Sequence, residues 1–344
     1  MINDKILEIH QPIISHLPQS AFLLSILGNE FNEYSWIMNN FVNIRMNKYT
    51  GYNDFYRNDM WYNCYHLIDN SMTKEFINTF ISDDFIEFLI NAINSGYYVY
   101  SYLNMKNISH YKHNFDMRHC PLIYGYNLEK KIFYVADFFY NQKYSFETCT
   151  FDEIKLAISY KEEDFCDFYK YLLFRCIKKK DGFKYEYSLE DLKSKLIDYY
   201  NSHNLFTKGY YQFQSNDFEE SLYNLIPNDY SFDFGLKCYD AAIELTNNKK
   251  INKKQLHLFY CQKVLMKLRL EFLHEHFNLK NFDWLYNECN YLLDTSLMTR
   301  NIYLKSKFLP LIKADECFKK VSYNLNEIKR RDYIFTEELI NSLN

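Results

Sequence analysis

A chain of 344 residues is long enough to bury one large core or two smaller ones. Its 48% hydrophobic and 24% charged content fits a globular protein, and a formal net charge of -4 argues against general nucleic-acid binding, which needs a basic face. Aromatic content is 19%, with 34 Tyr and 30 Phe beside only 7 Gly and 5 Pro, which reads as the codon bias of an AT-rich genome; an aromatic-lined cleft is the alternative. No stretch reaches the roughly 20 apolar residues of a membrane span, and the start, MINDKILEIHQP, lacks the basic and apolar pattern of a signal peptide. Nine cysteines without a CxxC pair indicate neither a disulfide framework nor a zinc site. The expectation is a cytoplasmic protein with reduced thiols, no metal, and neither nucleic acid nor membrane as partner.

In chain order, Pro18 followed by AFLLSIL and Gly28 predicts a helix that opens near Pro18 and stops at the glycine. It is apolar on nearly all sides, so it is expected to be buried. Residues 36–46 leave helix and strand open. After Asp83-Asp84, the apolar residues Phe85, Ile86, Leu89, Ile90 and Ile93 recur at helical spacing up to Gly96, and Tyr97–Leu103 predicts a strand. The runs 121–126 (PLIYGY) and 131–136 (KIFYVA), joined by Asn127-Leu128-Glu129-Lys130, predict a hairpin. His119 precedes the first run and Asp137 ends the second, so the hairpin brings imidazole and carboxylate to one end of the sheet. A carboxylate so placed orients a catalytic histidine and stabilises its charged form. Cys120, next in the strand, points to the opposite face and reads as core.

Lys143–Cys149 predicts another strand, and Thr150-Phe151-Asp152-Glu153 a capping box that opens a helix. Ser188 opens a further helix. Residues 204–232, with Tyr210, Tyr211 and Phe213, read as a linker or substrate-facing loop. Helical patterns then cover 234–246, 252–277, 281–293 and 310–331. The predicted fold is α+β, with an antiparallel-sheet domain over 1–160 and a mainly helical domain over 161–344. The basic runs Lys178-Lys179-Lys180 and Lys249-Lys250 with Lys253-Lys254 read as solvated ends at helix-to-loop transitions. His274-Glu275-His276 places its histidines two apart, on different sides of a helix, unlike the zinc-binding H-E-x-x-H pattern.

Several segments together carry a resemblance: GYYVY at 96–100, HCPLIYGY at 119–126, FYVAD at 133–137, FGLKCYD at 234–240 and LHLFYCQKVLMKLRL at 256–270. They resemble the papain-like fold of bacteriocin-processing C39 peptidases and, more closely, the butirosin biosynthesis protein H family found beside nonribosomal peptide synthetases. The resemblance implies a papain-like domain over 1–160 and an acyl or peptidyl transferase. In such an enzyme an acyl group arrives on the phosphopantetheine thioester of a carrier protein and leaves on an amine. A carrier protein is then the expected partner, with no cofactor of the enzyme's own.

By motif position the resemblance makes His119 the base and Asp137 its orienting partner, with a cysteine nucleophile at the start of the buried first helix. Residues 15–21 read SHLPQSA and hold no cysteine. Three readings stay open. Ser20 or Ser15 supplies a hydroxyl nucleophile; Cys64, in WYNCYH, supplies a thiol from another element; or the site is degenerate and the chain is an accessory factor that binds carrier protein or peptide product.

Overall fold

The computed structural model describes residues 3–56, 64, 66–81, 84–140, 142–158, 173–204 and 231–343. The chain order begins β1 (Asp4–Ile6), α1 (Pro18–Leu27), α2 (Phe31–Asn39), β2 (Ile44–Asn47), β3 (Asn53–Phe55), β4 (Leu67–Thr73), α3 (Lys74–Phe80), α4 (Phe85–Asn94), β5 (Tyr98–Ser101) and β6 (Leu103–Asn104). It continues β7 (Arg118–His119), β8 (Leu122–Asn127), β9 (Ile132–Phe138), β10 (Tyr144–Thr150), α5 (Phe151–Ile158), β11 (Leu173–Lys179), α6 (Leu189–Asn201) and β12 (Phe232–Phe234). Four helices close it: α7 (Cys238–Asn247), α8 (Lys253–Phe277), α9 (Phe282–Ser306) and α10 (Leu311–Ser342). The fold is α+β with antiparallel sheets and a helical C-terminal region. Two compact units share the chain, residues 1–30 with 59–184 and residues 31–58 with 185–344. Residue 160, where a boundary was expected, lies outside the described residues.

In the first unit the strands run in the order β10-β9-β8-β5-β11-β4, with β1 added to β8, and every described pairing is antiparallel. Side chains alternate across a pleated strand, so each strand serves two faces. Val99, Ile123, Val135 and Cys176 face a core closed by Phe88, Leu89 and Ile93 of α4 and by Ile154 and Ala157 of α5. The other face carries Tyr100 and Tyr144, and Phe22 of α1 lies between them with ring centroids 5.7 and 6.2 Å away.

Ser20 to Leu27 are all buried, as the unbroken apolar run of α1 predicts. Each large side chain so buried contributes about 1.5–3 kcal/mol before conformational entropy is subtracted. Gly28 follows at φ +74° as the stop. The capping residues also act where expected: Glu153 bonds the backbone and hydroxyl of Thr150 at 2.7 and 3.0 Å, and Ser188 accepts from Asp191 N at 3.1 Å.

Strands β4 and β11 escape a sequence reading because charges stand where a strand normally shows apolar residues. Arg175 and Asp69 pair within the sheet at 2.9 Å, with Arg175 also donating to Tyr100 Oη. The lysine run at 178–180 closes β11 rather than a helix, and Lys179 Nζ donates to the carbonyl of Leu27, one of the orphan acceptors at the end of α1.

The second unit combines the small sheet β12-β2-β3 with α2 and α6 to α10. Residues 36–46 resolve into the end of α2 and the start of β2, and α9 and α10 run past the predicted ends at 293 and 331. Residues 205–230, most of the expected linker, lie outside the described residues.

The core of this unit holds charge. Lys263 on α8 and Asp332 on α10 are fully buried, with Nζ and Oδ2 2.5 Å apart. The same oxygen accepts from Tyr199 on α6 at 2.7 Å and Tyr239 on α7 at 3.0 Å, so four helices meet at one carboxylate. Arg269 donates to the carbonyls of Met38 and Asn40, both at 2.6 Å, at the C-terminal end of α2. A cation there complements the negative pole of the helix. Tyr239, Lys263 and Arg269 all belong to the segments 234–240 and 256–270 that carry the resemblance. Gly235, at φ +53°, fits because any Cβ there would stand 2.1 Å from the carbonyl oxygen of Tyr199.

Candidate active site

The predicted hairpin forms, β8 against β9, with Leu122 opposite Ala136 and Asn127 opposite Ile132. Asn127 Oδ1 accepts from Lys130 N at 2.8 Å, which closes the turn, and Lys131 takes φ +52° to re-enter the strand. Asp137 continues the buried row Phe133, Val135 on the face packed by α4 and α5.

His119 arrives from a different ribbon. β7 pairs with β6, His119 opposite Leu103 and Arg118 opposite Asn104. The connection from 105 to 117 is tied back by Met105 N to Met117 O at 2.8 Å and by Asp116, which accepts from Asn104 at 2.7 Å and from Lys106 at 3.3 Å. Those two donors hold the Asp116 carboxyl below the usual carboxylate range.

His119 Nδ1 lies 2.5 Å from Asp137 Oδ2. Asp137 is fully buried, while the His119 side chain keeps 24% of its surface exposed. The same Oδ2 accepts the hydroxyl of Tyr111, and Oδ1 accepts the backbone N–H of Phe138 at 2.7 Å. Three donors on one buried carboxylate remove the cost of leaving it unpaired. Tyr111 is fully buried, with its ring 4.9 Å from Phe139 and 5.7 Å from His119. Burial, reinforced by the Asp137 charge, pushes its phenol well above the ordinary value, so it stays a donor throughout the physiological range. The arrangement fixes the imidazole plane and, with the neutral ring donating its Nδ1–H to the carboxylate, makes Nε2 the basic nitrogen.

The two residues singled out for acid–base work are thus brought together. Tyr111 escapes a sequence reading because it sits in a short turn, Ser109–Tyr111, with no periodicity to mark it as buried.

Of the candidate nucleophiles, Ser20 is otherwise engaged and Cys64 stands elsewhere. Ser20 is buried in the first turn of α1, where Oγ donates to Leu17 O at 3.0 Å and lies 3.4 Å from Leu17 N. That is a capping role. Ser15 is half-buried ahead of α1. Cys64 is buried at the turn into β4, its carbonyl accepting from Leu67 N at 2.9 Å.

Strand register locates that turn. Asp137 shares a row with Met72, by way of Phe174 and Ser101, because Ala136, Leu122, Tyr100, Arg175 and Ser71 form the row beside it. Leu67 is five residues back along β4, about 17 Å, and β4 is the edge strand, four places from β9. A β-turn keeps Cys64 within about 7 Å of Leu67. The sheet therefore carries Cys64 at its opposite end from Asp137 and does not bring it to the pair. Cys120 is buried, as core.

Among the described residues, no group of three His, Cys, Asp or Glu side chains is spaced to hold a metal ion. His274 and His276 go separate ways, His274 stacking on Phe282 at 3.9 Å and His276 meeting Phe272 at 4.7 Å. Comparison with known proteins finds neither a family model nor a curated sequence that matches this chain.

Proposed function

We propose that the first unit is a papain-like acyl-transfer domain in which His119 and Asp137 act as a general-base pair, passing an acyl group from a carrier-protein thioester to an amine without an acyl-enzyme. The observation that carries this reading is the bond from His119 Nδ1 to a buried, fully partnered carboxylate. In the proposed step the amine nitrogen attacks the thioester carbonyl and His119 Nε2 takes the amine's proton. The tetrahedral intermediate then collapses, the C–S bond breaks, and His119 returns the proton to the departing phosphopantetheine thiolate. A thioester is activated enough for an amine to displace the thiol directly, so the chemistry needs no protein nucleophile. The engagement of Ser20 in a helix cap and the position of Cys64 favour this form over a covalent one.

The test is incubation with an acylated carrier protein and a panel of amines, with amide formation followed by mass spectrometry. His119→Ala is expected to lower the rate by about 10²–10⁴-fold, the usual worth of a general base. Ser20→Ala and Cys64→Ala are expected to retain the rate, with no acyl adduct in the intact mass. Equal rates with and without His119 would overturn the proposal.

A second reading, an accessory factor that binds carrier protein or peptide product, is favoured by the absence of any cysteine from residues 15–21, the window at the start of α1 in which the resemblance places a thiol. It predicts a tight complex with unreacted carrier protein or product that survives His119→Ala.

A further inference from the structure

The three most exposed large apolar side chains among the described residues stand at one chain reversal, between α9 and α10: Phe308 at 89%, Leu311 at 84% and Ile312 at 78% exposed. This reversal is a built turn. The N–H groups of Lys307, Phe308 and Leu309 donate back to the carbonyls of Leu304, Lys305 and Ser306 in sequence, at 3.3, 3.1 and 3.3 Å, and Ala314 N bonds the carbonyl of Pro310 at 2.9 Å. The backbone therefore holds these side chains outward.

Charge surrounds them. Lys305, Lys307 and Lys313 are exposed beside the tip. Lys249 bonds Asp315 at 2.5 Å, which neutralises that acid and brings the run Lys249-Lys250 to the same end of the helical unit. Five lysines thus stand with Asp315 and Glu316 around three outward apolar side chains.

An ordinary protein interface needs about 800 Å² of complementary surface on each partner. A turn carrying three side chains is convex and offers less than that. A fluid lipid surface adapts to a convex tip, and basic residues beside an apolar insertion are the pattern that holds a protein on anionic headgroups.

We propose that the turn between α9 and α10 docks on an anionic lipid surface, with Phe308, Leu311 and Ile312 entering the boundary between headgroups and acyl chains and the lysines lying against the headgroups. Such a contact needs no spanning segment, and among the described residues no helix is long and apolar enough to cross a membrane. It replaces the expectation that a membrane is not a partner, and it is independent of the proposed chemistry.

The test is co-sedimentation of the full chain with vesicles of phosphatidylcholine alone and of phosphatidylcholine with phosphatidylserine. Binding is expected on the mixed vesicles and is expected to weaken with added salt. The triple variant F308S/L311S/I312S is expected to lose about tenfold or more, and K305Q/K307Q/K313Q about fivefold for each lysine that lies against the surface. Circular dichroism checks that each variant folds, and the lysine variant with the salt titration carries the test should the apolar variant fail to. Absence of binding to mixed vesicles, or undiminished binding by both variants, overturns the proposal. So does a self-associating chain that binds no vesicles and becomes monomeric in the apolar variant, which would make the turn an interface between copies.

Discussion

Tyr111 holds the acid of the candidate site in place, and its hydroxyl can be removed without disturbing the sheet. The phenol donates to a carboxylate that has no exposure to water. Tyr111→Phe leaves that oxygen with one fewer donor and is expected to cost about 1–3 kcal/mol of stability, the penalty for a buried charged group losing a hydrogen bond. Urea denaturation of the two proteins measures it, and a difference under about 0.5 kcal/mol, the range of a neutral surface change, would remove Tyr111 from the account. Ser20→Ala tests the opposite assignment. A lost cap costs about 1 kcal/mol, and the transfer rate is expected to stay unchanged. At this scale the sequence marks Asp137 at the end of the β8–β9 hairpin, whose period-two strands and short turn set its face, whereas His119 reaches it from the separate β6–β7 ribbon. It was silent on Tyr111, which sits in a short turn without periodicity, and on the position of Cys64, which depends on pairings between strands far apart in the chain.

Elements were legible where apolar periodicity was long and its ends were marked. α1 runs from its proline to its glycine, and α8 covers almost the whole of its predicted span. β4 and β11 were missed because Arg175 and Asp69 satisfy each other inside the sheet, a solution that only the folded pairing makes available. The helical unit repeats this logic at Lys263 and Asp332, where α8 and α10 meet in a site with no exposure to water. Removing one partner of such a pair strands the other. Lys263→Met and Asp332→Leu are each expected to cost about 3–5 kcal/mol, and the double variant less than the sum, because two apolar side chains leave no uncompensated charge. Denaturant titration of the four proteins closes the cycle, and strictly additive losses would mean that the two charges are not coupled. Gly235→Ala asks a simpler question of the neighbouring turn. Its Cβ would meet the Tyr199 carbonyl in a left-handed backbone, so a loss of about 3 kcal/mol or more is expected.

Across the whole chain, the abundance of tyrosine and cysteine in buried positions sets a pH limit that the net charge does not reveal. Burial pushes Cys176 and Cys289 up to about 12, and raises Cys149 and Cys238 as well. Tyr124 is pushed up to about 12, and Tyr98, Tyr144 and Tyr187 rise for the same reason. Burial first, and then the carboxylates beside them, hold Tyr111, Tyr199 and Tyr239 well above the ordinary value. Each of these groups keeps its proton in the folded protein and loses it in the unfolded chain, near about pH 8.5 for a thiol and about pH 10 for a phenol. The folded state then binds more protons than the unfolded one, so stability is fully present below those values and falls as pH rises through them. The slope is about 1.4 kcal/mol per pH unit for each such group. Arg269, brought down to about 10 by burial, and Lys195, lowered for the same reason, work the other way but are far outnumbered. The expected outcome is a denaturation midpoint that is flat from neutral pH to about pH 8.5 and then drops steeply in two stages, thiols before phenols. Tyrosinate absorbance followed through the same titration separates the causes: the buried phenols are expected to ionise only as the fold is lost. Full ionisation of the tyrosines in a chain that still shows its native circular dichroism would mean that these side chains reach water in the folded state, and the packing described for both units would have to be redrawn.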